Sequence, residues 1–479
     1  MLDSPLYESL RQEIPADGTP IFIQLCWDGA VIYQTVQKES MWPLTYSIVN
    51  FPPSLRNKLH IGMHVLSFDH GSTAALDKCA AELLDLFQNP IEVDGRKYYV
   101  MIAQIIMDGQ GRCKYCKLEG QRSFNGGCHT CNFKGRAFGN KRTVYDGYRR
   151  YLNFNDDRRL AKSNKNRKEH LYFSFDEQGT RPKRRTYDQY IADGTFADGI
   201  QSNYPIDTGY VTNGVKGVWS LHVLPYANKI HWTYDLMHTF ANIITDSIKS
   251  ITPTHSGRAG KLYKNENRTY CPGVIAACVE EKIHPYLRDG SIPPWVLSAD
   301  DCVSVDSSQK LIIGSFTSEE FVQNVMRGHH AARSHDSIYW AVVYSRWLLR
   351  DRGPIVDNIL DIFDTMAVLN SNRLHVPTVN NVTFNELIES LIKRSGLVPP
   401  SECPITLHEL VHVCDQVNEI GSPRYSTLYK FEKINKLLKA FCFNKAKGVH
   451  QEITFQLLFV YSNNYSFYRY GFHDQELCN

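Results

Sequence analysis

Two pairs of soft metal ligands and two carboxylates share one spacing, and that spacing constrains how this chain can close on itself. Cys128 and Cys131 form a Cys-x-x-Cys pair, and His408 and His412 stand four apart far downstream. Asp108 lies twenty positions before Cys128, and Glu432 lies twenty positions after His412. One zinc held by the four N/S ligands would therefore fix where both acids stand. Asp108 ends an apolar, strand-like run that begins at Val100, and Glu432 sits in a helix-like Tyr429-Lys430-Phe431-Glu432 stretch. A third acid, Asp28, ends another apolar run from Ile21 through Trp27. The layout reads as a metal-dependent phosphoryl-transfer core split by a long insertion.

The pattern around the acids predicts strands over 21–26, 30–35, 42–49 and 97–107, with a helix over 73–88 capped by Ser72. Three strands, a helix and a fourth strand, with acids ending the first and fourth, is the order of an RNase H-like fold. In that fold the two acid-bearing strands are neighbours. The expected class is α/β: an RNase H-like catalytic core interrupted by a large, mostly helical insertion with a zinc site. The expected division is 1–112 for the first part of the core, 113–403 for the zinc-containing basic insertion, and 404–479 for the closing helical part. Each acid also has a plainer reading. Asp-Gly is a hairpin signal at both Asp28-Gly29 and Asp108-Gly109, and Glu432 alone is an ordinary acid on a helix surface.

The 13 cysteines are an odd number, and only Cys113, Cys116, Cys128 and Cys131 cluster. That argues against a disulfide framework and for a reducing compartment, with metal as the use of the cluster. Two ligand sets compete for it. Cys113, Cys116, Cys128 and Cys131 suit a local four-thiolate ribbon. Alternatively, Cys128 and Cys131 join His408 and His412, which project from one face of a helix. Asp235 and His238 read as a helix cap and its neighbour. His329, His330, His335 and Asp336 read as a helix face that packs in the core or contacts phosphate.

The net charge of +3 conceals an asymmetry. Positions 134–185 carry 16 Lys or Arg against 6 Asp or Glu, a surplus of +10, so the rest of the chain sums to −7. Aromatic residues interleave with this block at Tyr145, Tyr148 and Tyr151. A basic, aromatic-laced segment suits the DNA backbone. A solvated loop or a nuclear import signal at Arg181-Pro182-Lys183-Arg184-Arg185 is the plainer alternative. No apolar stretch approaches the roughly 20 residues that span a bilayer, and the N-terminus has no secretion-signal pattern. A soluble intracellular protein with no membrane partner is expected.

The ordered motifs resemble the transposase domain of CACTA (En/Spm-type) DNA transposons. Trp27-Asp28-Gly29, Met41-Trp42-Pro43-Leu44 and Asn50-Phe51-Pro52-Pro53 resemble its start. Asp235-Leu236-Met237-His238 matches its Asp-x-Met-His motif, and Arg333-Ser334-His335-Asp336 its Lys-Ser-His-Asp motif. Leu407-His408-x-x-x-His412 with Tyr429-Lys430-Phe431-Glu432-Lys433 matches its closing segment. The layout is also similar to the catalytic subunit of the V(D)J recombinase. The chain departs from the family after Asp108, where Gly109-Gln110-Gly111 replaces a Pro-Ala step, and in carrying the extra Cys113 and Cys116.

The resemblance implies a DDE-type transposase that cleaves and transfers transposon ends. Asp28, Asp108 and Glu432 would hold two Mg²⁺ or Mn²⁺ ions, and Cys128, Cys131, His408 and His412 a structural Zn²⁺, with Cys113 and Cys116 as possible additional ligands. DNA contact is expected from Arg149, Arg150, Arg158, Arg159, Lys183, Arg184 and Arg185. The partners are double-stranded DNA, as transposon ends and target, and a second copy of the chain on that DNA, in the nucleus. Relatives carry a DNA-binding region upstream, whereas this chain starts about twenty residues before its first strand, so a truncated or domesticated copy is also expected. The alternatives are a domesticated, catalytically inactive zinc-containing DNA-binding protein, and a zinc-ribbon adaptor in RNA metabolism.

Overall fold

The structure is a computed structural model that describes residues 3–31, 40–52, 61–67, 73–120, 128–131, 133, 135–138, 142–145, 184–203, 213–252, 263–264, 269–270, 296–313, 325–328, 334–371, 376–398, 402–423 and 426–440. The fold is mixed α/β, with one mixed sheet and many helices.

Strand β1 (Thr19–Trp27) is buried along nearly its whole length, the mark of a strand covered on both faces. It continues across Asp28-Gly29 into β2 (Ala30–Val31). Both segments pair antiparallel with β3 (Ser40–Ile48) in one unbroken register, Trp27 opposite Leu44 and Ala30 opposite Met41. The hairpin reading of Asp28-Gly29 is therefore corrected: the chain runs straight through. Glycine is needed there for another reason, because a Cβ at Gly29 would lie 2.6 Å from the Trp42 indole. Positions 32–35 of the expected second strand lie outside the described residues.

Strand β4 (Ile61–Ser67), which the pattern did not predict, adds antiparallel to β3. Helix α1 (Pro5–Arg11) precedes β1, and α2 (Ala74–Gln88) follows β4. The residue at the N-cap of α2 is Thr73 rather than Ser72. After β5 (Ile91–Val93) comes β6 (Arg96–Ile106), parallel to β1 with Cys26 opposite Ile106. The short helix α3 (Gly109–Tyr115) follows, and a small ribbon of β7 (Arg136–Phe138) and β8 (Arg142–Val144) stands apart from the sheet. The sheet is completed by β9 (His231–Thr233), parallel to β6 with Ile106 opposite Thr233. The path is β4-β3-β1-β6, with β5 and β9 both on β6. A strand from within 113–403 thus belongs to the sheet, so the sheet-bearing unit extends past the expected boundary at 112.

Helices dominate after β9. Helix α4 (Tyr187–Asn203) precedes that strand; α5 (Leu236–Ile251), α6 (Ala299–Ile313), α7 (Pro354–Leu369), α8 (Phe384–Leu397), α9 (Ile405–Ile420) and α10 (Tyr429–Ala440) follow it. Two apolar cores result. One wraps the sheet around Phe22, Leu25, Met101 and Ile105; the other joins α5, α7, α8 and α9 through Phe240, Ile359, Leu387 and Leu410. Helix α9 belongs to both, placing Val417 in the helical core and Ile420 in the sheet core. Buried amides inside the sheet form a short relay: Gln24 donates to Gln104 Oε1 (2.8 Å), and Gln104 donates to Tyr7 (2.8 Å). No described helix is long and apolar enough to cross a membrane.

Candidate metal centres

The parallel pairing of β1 and β6 sets Asp28 and Asp108 side by side, because each stands two residues beyond the paired Cys26 and Ile106. Asp28 is only 8 % exposed. Asp108 caps α3, its Oδ1 accepting from Gly111 N at 2.6 Å. Helix α10 brings Glu432 close enough for its carboxyl to act on that of Asp28. One turn further along the same helix, Asn435 Nδ2 donates to Asp28 Oδ2 at 3.1 Å. Burial, then the charges of Glu432 and Asp108, push the Asp28 carboxyl up from 3.8 to about 8. Three carboxylates that are distant in sequence thus come within electrostatic reach at the end of two central strands.

His238 is the neighbour the sequence did not assign to this cluster. It lies in the first turn of α5, and its Nε2 lies 4.0 Å from Glu432 Oε1. Its Nδ1 donates to Asp235 Oδ2 at 2.6 Å, which fixes the ring. Burial works against its charge, but the bond and charge of Asp235, with Asp108 and Asp28 beyond, raise the imidazole to about 9. Asp235 does cap its helix as expected, accepting from Met237 N and His238 N. The side chains of His238 and Glu432 are each 35 % exposed, so the cluster opens to solvent on their side. Asn435 could have been found as the residue three beyond Glu432 on a helix. Nothing in local spacing relates position 238 to position 432.

The soft ligands form a closed, buried group. Cys128 Sγ lies 3.2 Å from His412 Nε2, Cys131 Sγ lies 3.3 Å from His408 Nε2, and the two imidazole Nε2 atoms are 3.2 Å apart. All four ligand atoms fall within 4.8 Å of one another, and all four residues are buried. Two thiols and two imidazoles at these separations fit a tetrahedral structural zinc. Burial resists ionisation of the Cys128 thiol, yet the hydrogen bond of Cys131 and the two histidines outweigh it and hold the thiol well below its usual range. Asp415 Oδ2 stands 3.5 Å behind His412 Nδ1, where it can orient the ring.

The histidines, not the neighbouring thiols, complete this group. Among the described residues no such cluster includes Cys113 or Cys116. Cys113 Sγ instead donates to the Glu119 carbonyl (3.4 Å) and faces His129 Nε2 (3.8 Å), while Cys116 is buried with its carbonyl accepting from Tyr190. The four-thiolate ribbon is corrected accordingly.

Of the expected DNA contacts, Arg184 and Arg185 are described, and both bond within the protein. Arg184 pairs with Glu419 and with Asp415 (3.7 Å), and Arg185 Nε donates to the Cys131 carbonyl at 3.2 Å. Arg149, Arg150, Arg158, Arg159 and Lys183 lie outside the described residues, as do His329 and His330. Asp336 is buried. No family model matches the chain, and no curated protein matches it significantly.

Proposed function

We propose that the chain is a DDE-type polynucleotidyl transferase of the CACTA transposase kind, built on an RNase H-like core. The observation that carries this reading is the electrostatic proximity of Asp108 and Glu432 to Asp28, two acids following adjacent parallel strands and one from a helix more than 300 positions downstream. The sheet path supports it, since the second long strand, β3, runs antiparallel to strands on both sides. The donors are hard oxygens, which suit Mg²⁺ or Mn²⁺ and leave zinc to the thiolate and imidazole group.

A pair of such ions, when bound, would stabilise the attacking and leaving oxygens of a phosphodiester. The chain's own groups prepare the place. Asn435 orients the Asp28 carboxylate, the α3 amide at Gly111 orients Asp108, and His238 stands beside Glu432 on the open side. The buried Cys128, Cys131, His408 and His412 group would hold zinc and staple α9 to the segment after α3. DNA contact is assigned to Arg149, Arg150, Arg158, Arg159 and Lys183, because Arg184 and Arg185 already bond within the protein.

Nicking of double-stranded DNA by the full chain with Mg²⁺ tests the reading. Wild type should cut, and Glu432→Gln should not, while keeping its zinc and its DNA affinity. DNA binding without any cutting by wild type would favour the domesticated, inactive binding protein.

A further inference from the structure

The sheet presents a third aspartate in line with the two of the acid centre. Cys26 pairs with Ile106 and Ile106 with Thr233, so Asp28, Asp108 and Asp235 each stand two residues past the same row of three parallel strands. Asp235 is 2 % exposed. The backbone of the preceding Tyr234 is held by α9, where Gln416 Oε1 accepts from Tyr234 N at 2.9 Å and Gln416 Nε2 donates to Tyr234 O at 3.4 Å.

Its carboxylate is fully used. Oδ1 accepts from Met237 N (3.3 Å) and Leu428 N (2.8 Å); Oδ2 accepts from His238 N (2.9 Å) and His238 Nδ1 (2.6 Å). A carboxylate has about four lone-pair sites, and four N–H donors fill them. Asp235 cannot ligate a metal without surrendering one of these bonds, so its place in the row gives it a different task from Asp28 and Asp108.

The bond to Leu428 indicates that task. Leu428 directly precedes α10, and its carbonyl accepts from Glu432 N at 2.8 Å. One helical turn therefore separates the Asp235 carboxylate from the backbone of Glu432. The same carboxylate fixes the His238 ring that faces the Glu432 side chain. We propose that Asp235 is the positioning residue for Glu432, clamping the first turn of α10 against the end of β9 so that the third acid reaches the two on the sheet. The inference rests on the reading of the three acids as a divalent-cation site.

A cap for α5 alone would be a sufficient role for Asp235 in an ordinary helix start, and substitution separates the two. Ser is a good N-cap, but it has one short acceptor and cannot also span to Leu428. Asp235→Ser in the full chain should keep one zinc and its melting temperature within a few degrees of wild type. It should weaken Mn²⁺ binding, read by the electron paramagnetic resonance of free Mn²⁺, by about 10–100-fold, the usual loss when a group that orients a metal ligand is removed. Amide exchange should accelerate at Leu428 and Glu432 but not in α9. Asp235→Asn, whose amide oxygen can still face Leu428, should recover most of the Mn²⁺ affinity and the slow exchange.

Wild-type Mn²⁺ affinity and unchanged exchange at Leu428 in both variants would overturn the clamp. Mn²⁺ binding that is equal in wild type and Glu432→Gln would instead overturn the cation-site reading, while exchange at Leu428 still reports on the clamp. If Asp235→Ser loses its zinc, the Asn variant decides: fast exchange at Leu428 with the α5 amides still protected supports the clamp, and equal acceleration at both refutes it.

Discussion

The two candidate centres lie in one molecule but are built in opposite ways. The Cys128, Cys131, His408 and His412 group is sealed, with its ligands in mutual contact and its aromatic neighbours Phe133 and Tyr145 stacked on His408. The acid centre is crowded with like charge and open on the side of His238 and Glu432. A sealed set of soft ligands stabilises a fold, because nothing can reach the ion. An open set of carboxylates is unfavourable until cations arrive, and it leaves room for a substrate. On the proposed reading, structural and chemical roles are thus separated by burial and by ligand type.

Breaking the sealed centre should have the largest effect on stability. His412→Ala should lose the zinc and lower stability by on the order of 5 kcal/mol or more, since metal binding and folding are coupled at such sites. Metal analysis with a melting curve checks this, and the helical half should unfold first. Next comes the tie between the centres. Arg112, in α3 after Asp108, lies 3.5 Å from Glu409, which sits between the two histidine ligands on α9, and both side chains are buried. Arg112→Met should cost about 3–5 kcal/mol by taking the guanidinium away from the buried Glu409 carboxylate, and the Arg112→Met, Glu409→Met double variant should recover much of it. Denaturant titration of the two variants measures the difference.

At the open centre the sign reverses. The Asp28 carboxyl is raised to about 8, so between roughly pH 4 and pH 8 the folded, cation-free protein holds a proton that the unfolded chain has released. Its stability should therefore fall as pH rises through that window. Asp28→Asn should stabilise the cation-free protein by on the order of 2 kcal/mol near pH 8, and the gain should vanish below pH 4. Saturating Mg²⁺ should also narrow it, by stabilising wild type. Melting curves at several pH values, with and without Mg²⁺, give the comparison. The smallest effect should come from neither centre. Arg346 pairs on the surface with Asp364 and Asp361, and Arg346→Ala should change stability by less than about 1 kcal/mol.

Much of this was legible where a local period carried it. The buried runs of β1 and β6 and the i, i+4 placement of His408 and His412 follow from side-chain spacing alone. Strand β9 was not legible because three residues are too few to show alternation, and β4 because Gly62 and His64 interrupt its apolar pattern. Asp28-Gly29 misled for a tertiary reason: its glycine answers to the Trp42 ring, not to a turn. The ties of Asp235 to Leu428 and of Arg112 to Glu409 join distant segments. Only the assembled fold reveals them.

Anomalous diffraction from crystals of the full chain grown with zinc and soaked in Mn²⁺ tests the separation of the two centres most directly. The account predicts a zinc peak enclosed by Cys128, Cys131, His408 and His412, and Mn²⁺ peaks between Asp28, Asp108 and Glu432 that disappear in Glu432→Gln. Zinc held at Cys113 and Cys116 instead, or acids that take up no Mn²⁺, would contradict it.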